Sequence, residues 1–492
     1  MYLIAFTPLF FNLLYFLSHV FIVFSYPFSF NHVEGAMWGS LVAAKTFGLY
    51  PNYQLYPYLP TSYPPLFYLL ALPLHSFFHL GLTAGRLISL TSTLLIAGFF
   101  ARLSYCYSRD RFLGLLLFLA FLSSPDIFYW GTLYRVDLLL SLFLCLALYF
   151  GLVRSDSFRS KMLALLFFWL AFVTKSSFIV PPIVVFGLWL SCEFQKDRTI
   201  VKTLGLITLF SICLGLTLGL LQIVTLGQYI PQVFGLMTSM SYFNLTDGIN
   251  LLLLFFKLYW PLLTLVVGLL LFLLQQKKLA AVQIAAFSGL AASFLYILIF
   301  GSRMGSDTNY FLESYLWLFL AICFALPVFW KNPWHQRFLL ASLAIFALAT
   351  TPCSLNPFAQ SFFEPSASLE YFGQDKLVKN QIVSIIKPSK GDVLTDDAAI
   401  AILAGKMPVF EPYILKWQEQ LGHWDKQRFS SEIKDGRYNY LAISGRYRDI
   451  PFIMNMIKSD YVNVANFSTP KMDNGSRVWG IYKFKGIKRG RN

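Results

Sequence analysis

Apolar stretches of about 15 to 25 residues recur from Tyr2 to Thr351, divided by short polar or basic segments. Runs of that length are what a helix needs to cross roughly 30 Å of hydrocarbon, so the pattern predicts about eleven membrane-crossing helices. The first run, Tyr2 to Phe24, has neither a basic leading region nor a small-residue cleavage site and reads as a retained span. Residues 30–68 hold no run long enough to cross, and Pro65 to Leu80 is short, apolar and interrupted by Pro73, which reads as re-entrant or interfacial. Past about Phe362 the long runs stop. There GDVLTDDAAIAILAGKMPVF predicts strand, turn, helix, strand, and YNYLAIS, YVNVANFS and VWGIYKF alternate as half-buried strands do. The expectation is an all-α polytopic membrane domain over 1–355, with a first external loop at 25–65. A small α/β or α+β extracytoplasmic domain follows over 362–492.

Composition agrees, with 57% hydrophobic residues and a mean hydropathy of +0.60. The formal charge of +15 would suit a nucleic-acid binder, but the basic residues sit mainly in short loops between spans, such as Arg102, Arg109 and Arg111. That is the positive-inside bias. It predicts a multi-pass protein of the bacterial inner or plasma membrane, with a cytoplasmic amino end, an external C-terminal domain and no nucleic-acid partner. The basic end at Lys483, Lys485, Lys488, Arg489 and Arg491 suits anionic lipid headgroups. Six cysteines are scattered without CxxC or Cys/His clustering, so neither a disulfide framework nor a metal site is expected, and no cofactor is predicted.

Candidate chemistry lies in charges at the external ends of spans. A charge at membrane depth costs several kcal/mol unless it meets a partner or a wet cavity. The set is Glu34, Arg86, Asp126, Arg135, Asp137, Lys175, Lys257, Arg303, Asp307 and Glu313. Glu34 is the one carboxylate between Phe30 and Tyr68, so acid/base work in that loop falls to it by elimination, with His32 as a neighbour that could assist. Carboxylates and cations converging on one external cavity would suit glycosyl transfer from a lipid phosphate. A carboxylate, Glu34 supported by Asp137, deprotonates the acceptor hydroxyl, while Arg86, Arg135 and Arg303 hold the phosphate. Tyr63 is a candidate for stacking on sugar, and Lys175, Lys257, Asn309 and Glu313 are further candidates for substrate contacts. Competing readings stay open: Arg135 with Asp137 as a structural ion pair, Arg86, Lys175 or Lys257 as snorkelling anchors, and the tyrosines as an interfacial belt.

The loop acid followed by a helix and YPPLFYLL, then GRLIS, YRVDLLLSLFLCLALY, TKSS and LAGKMPVFEP, together resemble the GT-C superfamily of polyprenyl-phosphate-sugar-dependent glycosyltransferases. That group includes the protein O-mannosyltransferases and the lipid A aminoarabinose transferases. The resemblance spans nearly the whole chain. It implies an inverting membrane enzyme with an external active site, a polyprenyl-phosphate sugar as donor and a lipid, glycan or protein acceptor. On the matching positions, Glu34 takes the place of the first-loop acid and Asp137 of the second external acid. One departure stands out: many relatives carry an Asp-Glu pair in the first loop, where here Val33 precedes Glu34. The alternatives are a lipid-linked sugar flippase or transporter, which predicts repeat symmetry that the sequence does not display, and a non-catalytic component of a glycan assembly complex.

Overall fold

The computed structural model describes residues 1–154, 157–175, 186–187, 189–191, 200–236, 243–276, 279–303, 306–351, 365–444, 455, 457, 459–470 and 476–485. The chain opens with α1 (Tyr2–Ser25) and α2 (His32–Phe47). It continues through α3 (Leu66–Phe78), α4 (Leu82–Ser108), α5 (Arg111–Leu122) and the short α6 (Pro125–Trp130). Next come α7 (Asp137–Leu148), α8 (Phe158–Thr174), α9 (Ile200–Val224) and α10 (Leu245–Gln275). The helical body ends with α11 (Ala281–Phe300), α12 (Phe311–Phe329) and α13 (Pro333–Thr350). Among the described residues, six helices are long and apolar enough to cross a membrane: α1, α4, α9, α10, α11 and α12 with the turn before it. This is a polytopic helical membrane protein. The expected span just after Lys175 falls largely outside the described residues.

Local chemistry sets the helix starts. Asp110 caps α5 by accepting from the Phe112 and Leu113 N–H groups at 2.8 and 3.1 Å. Asn244 and Asn332 cap α10 and α13, the latter with Pro333 at its first position, where a missing N–H costs nothing. The bundle is graded from centre to rim. The α12 span has 89% of its apolar window buried, whereas the α9 span has 0%, which leaves α9 to lipid. Helix α3, expected to be interfacial, has 13 residues with Pro73 inside and rises only about 20 Å, less than the hydrocarbon thickness.

After α14 (Pro365–Ile386), the C-terminal part forms a four-stranded sheet in the order β1-β2-β4-β3. Its strands are β1 (Asp392–Thr395), β2 (Tyr438–Ser444), β3 (Tyr461–Pro470) and β4 (Ser476–Phe484). The pair β1 and β2 is parallel and the other pairs are antiparallel. The parallel pair needs a crossover, supplied by α15 (Ala398–Leu403), α16 (Pro412–Gln420) and α17 (Gln427–Lys434). Four of the five expected strands are present. The expected strand at Met407 to Phe410 instead meets the first loop, with Tyr58 N–H donating to Val409 O at 3.1 Å and Glu411 N–H to Tyr58 O at 3.0 Å. An edge segment whose backbone groups find partners outside the sheet has no need to join it.

Two further contacts dock this domain on the bundle. His32 Nε2 pairs with the buried Glu411 carboxylate, which also caps α16. Beside it, the Lys379 ammonium of α14 lies 3.1 Å from both Asp375 and Asp397 and donates to the Tyr26 hydroxyl at 3.1 Å. Burial alone would push Lys379 down; Tyr26, Asp397 and Asp375 outweigh it and hold the ammonium well above the ordinary lysine value. Its contribution is therefore complete below about pH 10 and is lost only as pH rises through the raised folded value. Lys379→Met leaves the buried Asp375 and the partly buried Asp397 without their cation and is expected to cost about 3–5 kcal/mol. Hydrogen exchange should show faster amide exchange in β1 and α15 of the variant, with α12 unchanged.

Candidate active site

Two polar clusters lie at the domain-bearing end of the bundle. The inner one is centred on Glu34 and Arg86, each 0% exposed. Glu34 stands in the first turn of α2, where Asn31 caps the helix by accepting from the Glu34 N–H at 2.9 Å. Arg86 stands in the second turn of α4. Its Nε donates to Glu34 Oε1 at 2.8 Å and Nη2 to Oε2 at 2.9 Å, a two-pronged pair. The Arg86 Nη groups also bond the Val23, Tyr26 and Phe28 carbonyls, which covers the end of α1. All five guanidinium N–H groups are then in use. Each Glu34 oxygen accepts a second bond, from Tyr134 N–H at 3.0 Å and from Phe30 N–H at 2.9 Å.

Saturation on both sides gives this pair a part different from the expected one. Glu34 presents no open oxygen to an acceptor hydroxyl, and Arg86 no open N–H to a phosphate. What the pair does is fix four chain segments against one another: the end of α1, the start of α2, the start of α4 and the turn that carries Tyr134. The fit is close. A Cβ on Gly85 would lie 2.1 Å from the Tyr134 ring, so the glycine lets that turn settle on α4.

The outer cluster starts on the next residue. Arg135 and Asp137 straddle the start of α7, and the positive end of that helix favours a carboxylate in its first turn. Asp137 accepts from Arg135 Nε at 3.1 Å, Lys175 Nζ at 2.6 Å and Asn309 Nδ2 at 3.2 Å. Lys175 comes from the end of α8 and Asn309 from the turn before α12, so three elements converge on one carboxylate. The Arg135 guanidinium lies over Trp130 with its carbon 4.8 Å from the ring centroid, and among the described residues its Nη groups carry no protein hydrogen bond. Tyr63 lies within electrostatic reach of Arg135 and Asp137, and Tyr310 within reach of Tyr63, Asp137 and Arg303. Arg303 stacks on Phe300 at 4.6 Å and has no carboxylate partner among the described residues. Below Asp137, a cavity of about 10 Å³ bordered by Ser141, Asn309 and Glu313 has room for one water. Glu313 is buried there with Oε2 unpartnered, while Oε1 accepts from Trp317 at 3.4 Å.

Of the expected site residues, Tyr63, Arg135, Asp137, Lys175, Arg303, Asn309 and Glu313 therefore assemble in or beside this outer cluster. Glu34 and Arg86 sit behind it and are coupled to it through the Tyr134 backbone. His32 is taken up by Glu411 and its ring lies 5.5 Å from that of Tyr413, at the domain contact. Lys257 is not brought in. It is exposed on α10 beside Leu253 at 58% and Trp260 at 50% exposure, one helical face turned outward from the bundle. Asp307, one of the charged candidates without an assigned role, adjoins the cluster. It is exposed, caps the turn at Thr308 and lies within electrostatic reach of Arg135. Its local sequence gives it no role, because solvent exposure is a property of the folded loop. No group of three His, Cys, Asp or Glu side chains that could hold a metal ion occurs among the described residues.

Removing either half of the inner pair leaves the other charge buried and unpaired. Glu34→Gln and Arg86→Met are each expected to destabilise the protein by about 3–5 kcal/mol, whereas Lys257→Ala should change little. Thermal unfolding of the detergent-solubilised variants reads this as a large fall in Tm for the first two alone.

No protein-family model matches the sequence, and no curated protein does. Solved structures do. ArnT from Cupriavidus metallidurans bound to undecaprenyl phosphate superposes with a TM-score of 0.62 at 12% identity, over 96% of this chain and 97% of that one. The same protein in its apo state gives 0.55 at 14% identity, over 95% and 97%. At this identity the likeness establishes the fold: the chain has a GT-C-like membrane architecture with a small C-terminal α/β domain, as the resemblance in its sequence implied.

Proposed function

We propose that the protein is a membrane glycosyltransferase that moves a sugar from a polyprenyl-phosphate donor to a hydroxyl of a lipid, glycan or protein acceptor, with inversion at the anomeric carbon. The observation that carries this reading is the outer cluster. Two buried cations, Arg135 and Lys175, are held on one carboxylate at the domain-bearing end of a fold shared with a protein solved with undecaprenyl phosphate. In this reading the domain-bearing end is the external face, as the positive-inside bias of the loops suggests.

The chemistry follows from charge placement. Transfer passes through an oxocarbenium-like state in which the bond from the anomeric carbon to the phosphate oxygen lengthens and negative charge gathers on the phosphate. Cations preset in a site of low dielectric stabilise that charge without having to reorganise. Arg135 is suited to this by its planar fork and open Nη groups, and Lys175 by its compact charge. Asp137 keeps both cations in place and lessens the cost of burying them. Arg303, stacked on Phe300 and without a carboxylate partner among the described residues, is a third phosphate ligand, while Tyr63 and Asn309 border the space for the sugar.

The test is transfer of radiolabelled sugar from a panel of polyprenyl-phosphate sugars into lipids, glycans and proteins by the full-length protein in membranes. Wild type is expected to transfer from at least one donor. Arg135→Ala and Lys175→Ala are expected to lower kcat by about 10²- to 10³-fold, the usual effect of losing one donor to a developing oxyanion. Labelled lipid crossing the bilayer with no covalent transfer would replace this reading with a transporter.

A further inference from the structure

Acceptor attack requires a carboxylate that a hydroxyl arriving from solvent can touch at about 2.6–3.2 Å. The carboxylates in and beside the two clusters differ sharply in this respect. Glu34 has both oxygens doubly occupied. Asp137 is 2% exposed and accepts from three side chains. Asp126 is 3% exposed and takes the Tyr259 hydroxyl. Glu313 is buried beneath Asp137, facing a cavity with room for one water.

Asp307 is the exception. It is exposed, although the two residues that follow it, Thr308 and Asn309, are buried. Its Oδ1 accepts from the Thr308 N–H at 2.7 Å, which fixes the side chain, and among the described residues Oδ2 has no protein partner. Asn309, two residues on, donates to Asp137, so the loop that carries Asp307 is tied directly to the cationic cluster. Among the described residues, the charged and titratable groups within electrostatic reach of Asp307 are Arg135, Asp126 and Tyr129.

Resting on the glycosyl-transfer reading above, we propose that Asp307 is the general base of the reaction. The acceptor hydroxyl oxygen forms its bond to the anomeric carbon, and its proton passes to Asp307 Oδ2 and from there to bulk water. The bond from the anomeric carbon to the phosphate oxygen breaks, and its electron pair leaves with polyprenyl phosphate beside Arg135 and Lys175. Glu34 and Asp137 are then positioning residues: Glu34 fixes the turn at Tyr134, and Asp137 fixes the two cations.

Although the Asp307 side chain is open to solvent, the protein packed around it partly desolvates the carboxyl and raises it above the ordinary carboxylate value, with the Thr308 N–H and Arg135 opposing. Wild-type transfer should therefore rise with pH through that shifted value as the base loses its proton, and then level off. The experiment uses the full-length protein in lipid nanodiscs with the donor found by the panel above, comparing wild type, Asp307→Asn and Asp307→Glu. Asp307→Asn is expected to lose about 10²- to 10⁴-fold in kcat, to bind polyprenyl phosphate as wild type does, and to lose the acidic limb of the pH profile. Asp307→Glu is expected to recover part of the rate with the limb restored. Transfer by Asp307→Asn with the wild-type kcat and pH profile, or a loss seen only in donor affinity, overturns the assignment and leaves the glycosyl-transfer reading standing. Absence of transfer by wild type from every donor overturns both.

Discussion

The arrangement of this end of the molecule depends on one buried ion pair. Arg86 and Glu34 use every hydrogen-bonding position they have, on each other and on backbone groups of four segments. Neither could be buried alone, since an isolated charge in such surroundings costs far more than its packing returns. Together they turn that cost into a constraint. The end of α1, the start of α2, the start of α4 and the turn before α7 can take only the relative placement that satisfies both side chains. Because the Tyr134 N–H is one of the groups bound, Arg135 and Asp137 inherit that placement.

From this follows a division of labour among charges that look equivalent in sequence. The inner pair holds backbone, the outer cluster concentrates positive charge on a single carboxylate, and an exposed acid, Asp307, adjoins it. The C-terminal domain adds to the same frame. It grips the first loop through His32 and Glu411, through the Tyr58 backbone and through Lys379 with its two carboxylates, so the loop between α1 and α3 is held from both sides. A lipid-linked substrate would then meet charges already fixed in place, which is what electrostatic stabilisation of a leaving phosphate requires.

Much of this was legible in the sequence. The spacing of apolar runs located the helices, and alternation located β2, β3 and β4, because burial periodicity is a local property. The rule that charges near a span end must find partners singled out Arg135, Asp137, Lys175 and Glu313, which do converge. The same rule could not say who pairs with whom. Glu34 and Arg86 are 52 residues apart and His32 and Glu411 are 379 apart, so tertiary packing alone decides those partners. It also misdirected Lys257, whose helical phase turns it to the same outward face as Leu253 and Trp260. Asp307 belongs to the same set of charges but carries no role there, since a single acid in an irregular loop has no periodicity to read and its exposure is a property of the folded loop.

The central claim is that the lipid phosphate lies against Arg135 and Lys175, and a structure of the full-length protein with polyprenyl phosphate bound tests it most directly. The account predicts phosphate oxygens within about 3 Å of the Arg135 Nη groups and of Lys175 Nζ, with the Glu34–Arg86 pair intact. A phosphate that displaces Glu34 from Arg86, or that binds on the outward face of α10 beside Lys257, would contradict it.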